Sequence, residues 1–324
     1  MRIDVHAHAW SEAYLDLLAR LGNDRTAVHR GLGAGMTEAE LTARFALMDS
    51  VGIRLQVLSA TPASPHFADE TAAVEAARFV NDEYAALVRR HPSRFRAFAS
   101  LPLPHIDAAL VELKRAVEEL GMLGACITTS VLGRSIADPL FDPLYAELDR
   151  LGGVLYVHPA GCGACSPLIA DHHLTWSIGA PIEDTVAAMH LILAGIPKRY
   201  PGMKIILSHL GGALPMVLQR VDHQIVWEAP ETPELPSLAA RRMWYDTVGH
   251  NHVPALCAAV DTLGADRLLL GTDFPYQAGE LFRAAVDYVP RAGLMEKEIV
   301  AILDRNAAEL LGLSETSIAK PAPE

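Results

Sequence analysis

A single-domain (β/α)8 barrel of the TIM type is the fold this sequence predicts, and three observations predict it. Short β-branched runs recur eight times, helical patterns with apolar residues at three- and four-residue spacing separate them, and no linker-like break, internal repeat or low-complexity stretch divides the 324 residues. An open doubly wound sheet shares the alternation, and the count alone does not separate the two.

The strand-like runs fall at residues 3–8, 53–60, 95–101, 124–129, 154–158, 204–209, 243–247 and 267–273. Between the first two, residues 37–51 read as a helix, because Thr37 and Glu40 form a capping-box pattern and Gly52 follows as a stop. Residues 106–120 carry Ala109, Leu110, Leu113, Val117 and Leu120 on one side before Gly121, and 183–194 and 253–263 show the same spacing. Two stretches exceed a simple crossover, 9–35 after the first strand and 160–181 after the fifth, and long loops at such points usually cover or serve a site. The barrel is expected to span residues 1–313, and the polar, turn-forming segment 314–324 to fray as a tail.

Composition narrows the function. Hydrophobic residues make up 51% and charged residues 20%, the balance of an ordered globular chain. A formal charge of −12 argues against a general nucleic-acid binder. No apolar run reaches the length of a membrane span, and the start of the chain lacks a signal-peptide core, so a soluble cytoplasmic protein is expected. Four cysteines, Cys126, Cys162, Cys165 and Cys257, are too few for a disulfide framework in a chain of this size.

The chemistry stands at the C-terminal ends of strands, where barrel active sites are assembled. The first run ends His6-Ala7-His8, the fifth in His158, the sixth in His209 and the eighth in Asp273. Residues two apart in a strand share a face, so His6 and His8 aim together into the barrel mouth. Each alone has a bland reading: a strand-end histidine is commonly a satisfied polar group, and Asp273 could cap a turn. Jointly, several imidazoles and a carboxylate suit one divalent metal, zinc first and manganese or iron behind it. A bound cation would lower the pKa of its water, with His209 and Asp273 as partners in proton transfer.

On these residues the chain resembles the amidohydrolase superfamily, and within it the branch of aminocarboxymuconate semialdehyde decarboxylase and its relatives (amidohydrolase 2). The motifs are Asp4-Val5-His6-Ala7-His8, Val157-His158-Pro159, Ser208-His209-Leu210-Gly211-Gly212 and Gly271-Thr272-Asp273-Phe274-Pro275-Tyr276, with the closing Asn306-Ala307-Ala308-Glu309-Leu310-Leu311-Gly312-Leu313. The resemblance implies that His6, His8, His158 and Asp273 hold one catalytic metal, usually zinc, with His209 beside it as general acid/base. Two-metal members use a carbamylated lysine from the fourth strand; that strand here reads Ala125-Cys126-Ile127-Thr128-Thr129, so one metal and no organic cofactor are expected. The reaction implied is non-oxidative decarboxylation of a small aromatic or muconate-like carboxylic acid. A hydrolase or hydratase acting on a lactone, ester, amide or unsaturated acid is the alternative on the same site, and a non-catalytic binding protein a third. Arg220, eleven residues after His209, matches an arginine the family uses on the substrate carboxylate; its bland reading is a surface ion pair with Asp222 or Glu228. A second family arginine is replaced near Glu228, which weakens the match to the namesake substrate. A homodimer is implied by the resemblance alone.

His172 and Trp176, in the long segment after the fifth strand, are candidate substrate contacts, as is the neighbouring His173. Cys162-Gly163-Ala164-Cys165 is a lone Cys-x-x-Cys, weak evidence for a metal or redox role. His250-Asn251-His252 reads as a helix start, and Asp246 as a structural hydrogen-bonding group with a possible orienting role.

Overall fold

The computed structural model describes residues 1–314 and residue 316; all of the expected tail except Ser314 and Thr316 lies outside the described residues. Eight parallel strands follow one another around the barrel: β1 (Ile3–His8), β2 (Leu55–Ser59), β3 (Phe95–Ala97, resuming at Ala99–Ser100), β4 (Gly124–Thr128), β5 (Val154–His158), β6 (Lys204–Leu207), β7 (Trp244–Asp246) and β8 (Leu268–Leu269). Each pairs with the next. The ring closes between the last and first strands, where Val5 N–H donates to Leu270 O (2.9 Å), Asp273 N–H to His6 O (2.9 Å) and His8 N–H to Phe274 O (2.8 Å). Strand order and closure are those of the (β/α)8 barrel, not of an open sheet.

The expected strands shorten where chemistry begins. β6 ends at Leu207, because His209 and Leu210 take left-handed φ of 52° and 59°, and Asp273 (φ 60°) leaves the extended path in the same way. Neither long segment is an irregular loop. After β1 the chain forms the helix Glu12–Arg20, and after β5 a series of short turns, Gly163–Cys165, Pro167–Ala170 and Thr175–Gly179. The capping box at Thr37 forms as the sequence indicates: Thr37 Oγ1 accepts from Glu40 N–H (3.3 Å) and Glu40 Oε2 accepts from Thr37 N–H (3.2 Å), opening the helix Glu38–Ser50.

Two apolar cores result. The larger lies between strands and surrounding helices. The smaller fills the barrel's interior with Ile3, Val5, Leu55, Val57, Tyr156, Ile206 and Leu269, and is plugged at the N-terminal end by Ala307, Leu310 and Leu311 of the helix Asn306–Leu311. Asn306 pins that helix by donating through Nδ2 to Ala265 O and Leu268 O, both at 2.8 Å. Among the described residues, no helix is long and apolar enough to cross a membrane.

Candidate metal centre and substrate cleft

A bulge in β1 sets the geometry. Asp4 pairs with Gln56 and Ala7 with Leu58, so β1 spends one more residue than β2 over this step. The extra residue lets Val5 stay in the apolar interior while His6 and His8 turn to the same cavity above it. The backbone N–H of His6 that the bulge frees donates to Asp4 Oδ1 (3.1 Å). Asp4 also accepts from Thr272 N–H (3.0 Å), Thr272 Oγ1 (2.6 Å) and Gln56 Nε2 (2.7 Å), tying β1 to β2 and to the loop that carries Asp273. Burial pushes the Asp4 carboxyl up to about 6 against these bonds. Arg44 completes the support, donating to Gln56 Oε1 (2.7 Å) and His8 O (2.9 Å).

His6, His8, His158 and Asp273 converge, each offering one ligand atom within 4.8 Å of the others, and all four are buried. His6 Nε2 lies 3.1 Å from His8 Nε2, and Asp273 Oδ1 lies 3.1 Å from His6 Nε2 and 3.3 Å from His8 Nε2. Neighbouring ligands on an ion with bonds of about 2.1 Å stand roughly 3.0–3.4 Å apart, so this is the spacing of a coordination shell. Two imidazole nitrogens facing each other at such a distance need a cation or a proton between them.

The second ring nitrogen of each of the three histidines is held from behind, which fixes ring orientation. His6 Nδ1 donates to Asp246 Oδ2 (2.8 Å), His8 Nδ1 meets Ser59 Oγ (3.1 Å), and His158 Nδ1 donates to Pro159 O (3.0 Å). Asp246 thus has the orienting role, and its other oxygen accepts from His209 N–H and Val248 N–H, both at 3.0 Å. Gly271 makes room for this pair: a Cβ there would stand 2.9 Å from Asp246 Cβ and 3.0 Å from His6 Cβ. Burial holds the His8 imidazole down to about 4, and burial with the adjoining imidazoles holds His158 well below its usual range, so both present neutral nitrogens. Burial would also lower His6, but Asp246 and Asp273 outweigh it and raise it to about 9. The centre therefore calls for positive charge between two carboxylates, and the donor set fits a divalent cation.

His209 stands beside this cluster, its Nε2 3.9 Å from Asp273 Oδ2. Its Nδ1 donates to Asp184 Oδ2 at 2.8 Å, and Asp184 Oδ1 accepts from Ser208 Oγ at 2.9 Å. Asp184 is fully buried, on the helix Ala180–Leu193, and nothing in its sequence context marks it. Glu183 beside it is equally silent in sequence and accepts backbone N–H groups of the segment after β5.

A cleft of about 870 Å³ opens over the C-terminal ends of the strands, with Arg25, His29, His66, Thr128, His173 and Trp176 among its walls. Its wall residue His29 bonds Tyr276 Oη (2.9 Å) and lies 4.8 Å from Trp10, which in turn stacks on His8 of the cluster (5.4 Å between ring centres). Of the expected substrate contacts, Trp176 lines the cleft. His172 is exposed and is not among the lining residues, its neighbour His173 taking that place. Arg220 is not there either. It projects from the helix Leu214–Glu228 in an exposed stripe with Met216, His223 and Trp227, opposite the buried Leu214, Leu218 and Ile225 that anchor the helix. His252 precedes the helix Val253–Leu263, as its sequence suggests.

Comparison with known proteins agrees with this architecture. The amidohydrolase family model matches residues 3–313. The gamma-resorcylate decarboxylase of Polaromonas sp. is 33% identical over 289 residues, covering 84% of this chain and 87% of the relative. The 2-amino-3-carboxymuconate-6-semialdehyde decarboxylase of Dictyostelium discoideum is 30% identical over 267 residues, covering 81% and 73%. A crystal structure of a dihydroxybenzoic acid decarboxylase from Polaromonas sp., with bound manganese and the inhibitor 2-nitroresorcinol, superposes with a TM-score of 0.82 at 30% identity, covering 96% of each chain. This chain belongs to the amidohydrolase family described by that model.

Proposed function

We propose that the protein is a metal-dependent, non-oxidative decarboxylase of a small aromatic or muconate-like carboxylic acid. The observation that carries the reading is the placement of Asp273: one oxygen belongs to the imidazole cluster and the other faces His209, and Trp10 joins that cluster to His29 in the wall of a cleft sized for a small acid. His6, His8, His158 and Asp273 would hold the ion. When bound, a divalent cation supplies positive charge against the charge that develops as carbon dioxide leaves.

The chain's own groups handle the proton. As the bond between ring carbon and carboxylate breaks, its electron pair stays on carbon, and that carbon must take one proton. His209 is the donor group: burial would strip its imidazole, but Asp184 and then Asp273 outweigh it and hold the ring protonated. Asp273 Oδ2 is the acceptor site through which that proton is passed or returned. Trp10, His29 and Tyr276 cover the ligands and restrict water.

Zinc suits three imidazoles and a carboxylate, as does the manganese of the related crystal structure, and the reading requires one such ion per chain. A homodimer belongs to the same proposal, supported by the exposed Met216 and Trp227 on the Leu214–Glu228 helix and by exposed Leu168, Ile178 and Val186. Arg220 shares that stripe, so any contact it makes with a bound acid comes from a neighbouring copy. Cytoplasmic residence is supported by four free cysteines.

The test is carbon dioxide release by the zinc- or manganese-loaded protein from 2,6-dihydroxybenzoate, other hydroxybenzoates and carboxymuconate-type acids. Gas with stoichiometric loss of the acid is expected. A loaded protein that releases none, but opens lactones or esters, would move it to the hydrolase alternative.

A further inference from the structure

Cys162 and Cys165 take no part in the reaction derived above, yet Cys165 Sγ lies 3.7 Å from Cys162 Sγ. Cys165 is exposed and Cys162 half-buried. The turn that carries them bends through left-handed φ at Gly161 (69°), Gly163 (60°), Ala164 (53°) and Cys165 (57°). Such a run turns successive N–H groups inward, and the Glu183 carboxylate fills the hollow. Its oxygens accept from Ala160 N–H (2.7 Å), Gly161 N–H (3.2 Å), Cys162 N–H (2.9 Å) and Ala164 N–H (3.3 Å). The backbone is thereby clamped, while the two side chains hang from it on the same side.

We propose that Cys162 and Cys165 are a reversible modification site, closing to a disulfide by exchange with a small-molecule disulfide and so altering the cleft wall beside them. Cys165, being exposed, attacks one sulfur of the small disulfide and releases one thiol. Cys162 then gives up its proton and attacks Cys165's sulfur, releasing the second thiol. The protein loses two electrons and two protons, and the small disulfide gains both. Burial, then the Glu183 charge, push the Cys162 thiol up to about 11, in keeping with its acting second. The sulfurs must close from 3.7 Å to a bond of about 2.05 Å, within reach of side-chain rotation at an exposed residue.

The cleft would register the change. Cys162 is one of its walls and stands 4.0 Å from Ser130 Oγ, a contact the disulfide draws apart. Gly161, next to it, presses against Trp176, since a Cβ there would fall 2.5 Å from the indole, and its carbonyl accepts from Arg25 Nη1 (3.2 Å) across the mouth. Trp176 therefore reports on the turn. The inference is independent of the decarboxylase reading, because its readouts need no substrate.

The experiment treats the reduced full-length protein with glutathione disulfide. Thiols counted after quenching and denaturation should fall from four to two, the mass should drop by two hydrogens, and a peptide joining Cys162 to Cys165 should appear. Tryptophan fluorescence should change in parallel, dithiothreitol should reverse both effects, and Trp176→Phe should remove the fluorescence change. Cys165→Ser should keep the fluorescence and metal content of the untreated protein and form no disulfide. Cys162→Ser should stop at a glutathione adduct on Cys165. A wild-type protein that keeps four thiols, or stops at the adduct, would overturn the proposal. Formation of the bond with unchanged fluorescence would overturn its link to the cleft.

Discussion

The two ends of the barrel's interior are built from the same strands and solve opposite problems. At the N-terminal end Ile3, Val5, Leu55, Val57 and Leu269 meet Ala307, Leu310 and Leu311 in one apolar cluster. One residue beyond Val5, the same strand presents His6, and the interior becomes a cluster of imidazoles and carboxylates. The apolar end is held by burial, which is non-directional and tolerates a change of shape at a cost proportional to what is removed. The polar end depends on direction: each of the three imidazoles has a partner behind it, and losing one partner leaves a buried polar group unpaired. Stability should therefore respond to changes at one end, and metal binding and turnover at the other.

The largest separation is expected at His209. His209→Ala should retain the metal and lose on the order of 10²–10⁴-fold in kcat, measured with the acid found by the gas-release screen. Loss of metal in this variant would make His209 a ligand. Next, Asp246→Ala should weaken metal affinity about 10–100-fold, read by chelator competition, because His6 loses the group that orients it. At the other end, Leu310→Ala should cost about 2–4 kcal/mol of unfolding free energy in urea, with metal stoichiometry and affinity unchanged. A fall in affinity of the same size as in Asp246→Ala would erase the distinction between the ends. The smallest effect belongs to Trp176→Ala, where a several-fold rise in KM with little change in kcat is expected of a cleft wall remote from the proton path.

The sequence carries the strand-end groups and, in Asp246, one of the groups that orient them, but not the rest of what holds them in place. His6, His8, His158, His209 and Asp273 are visible because strand periodicity and strand-end position are local properties, and the division into four ligands with His209 beside them comes from the family resemblance. The β1 bulge is not local. Simple alternation puts Asp4 on the same face as His6 and His8, whereas the inserted residue turns Asp4 toward Gln56 and Thr272 and keeps Ile3 and Val5 inside. Asp184 and Glu183 are silent for a related reason: they act on His209 and on the 160–164 turn from a helix that only the closed barrel brings alongside. His172 and Arg220 stand outside the walls of the cleft in their own chain, a placement that the sequence does not show. Residue type and spacing suit a substrate contact, but the direction of a side chain on a helix is set by which neighbours are buried, for Arg220 the Leu218 and Ile225 that anchor its helix. The left-handed φ of His209 and Asp273 leaves no mark in sequence for residues other than glycine.

The most direct test of the account is metal content by elemental analysis, in parallel for the wild-type protein, His158→Ala and Leu310→Ala, each purified in excess zinc or manganese and then freed of loosely bound ions. One ion per chain in the wild type and in Leu310→Ala, with none retained by His158→Ala, is the predicted result. Equal metal in His158→Ala and the wild type would place the ion elsewhere and contradict the centre described here.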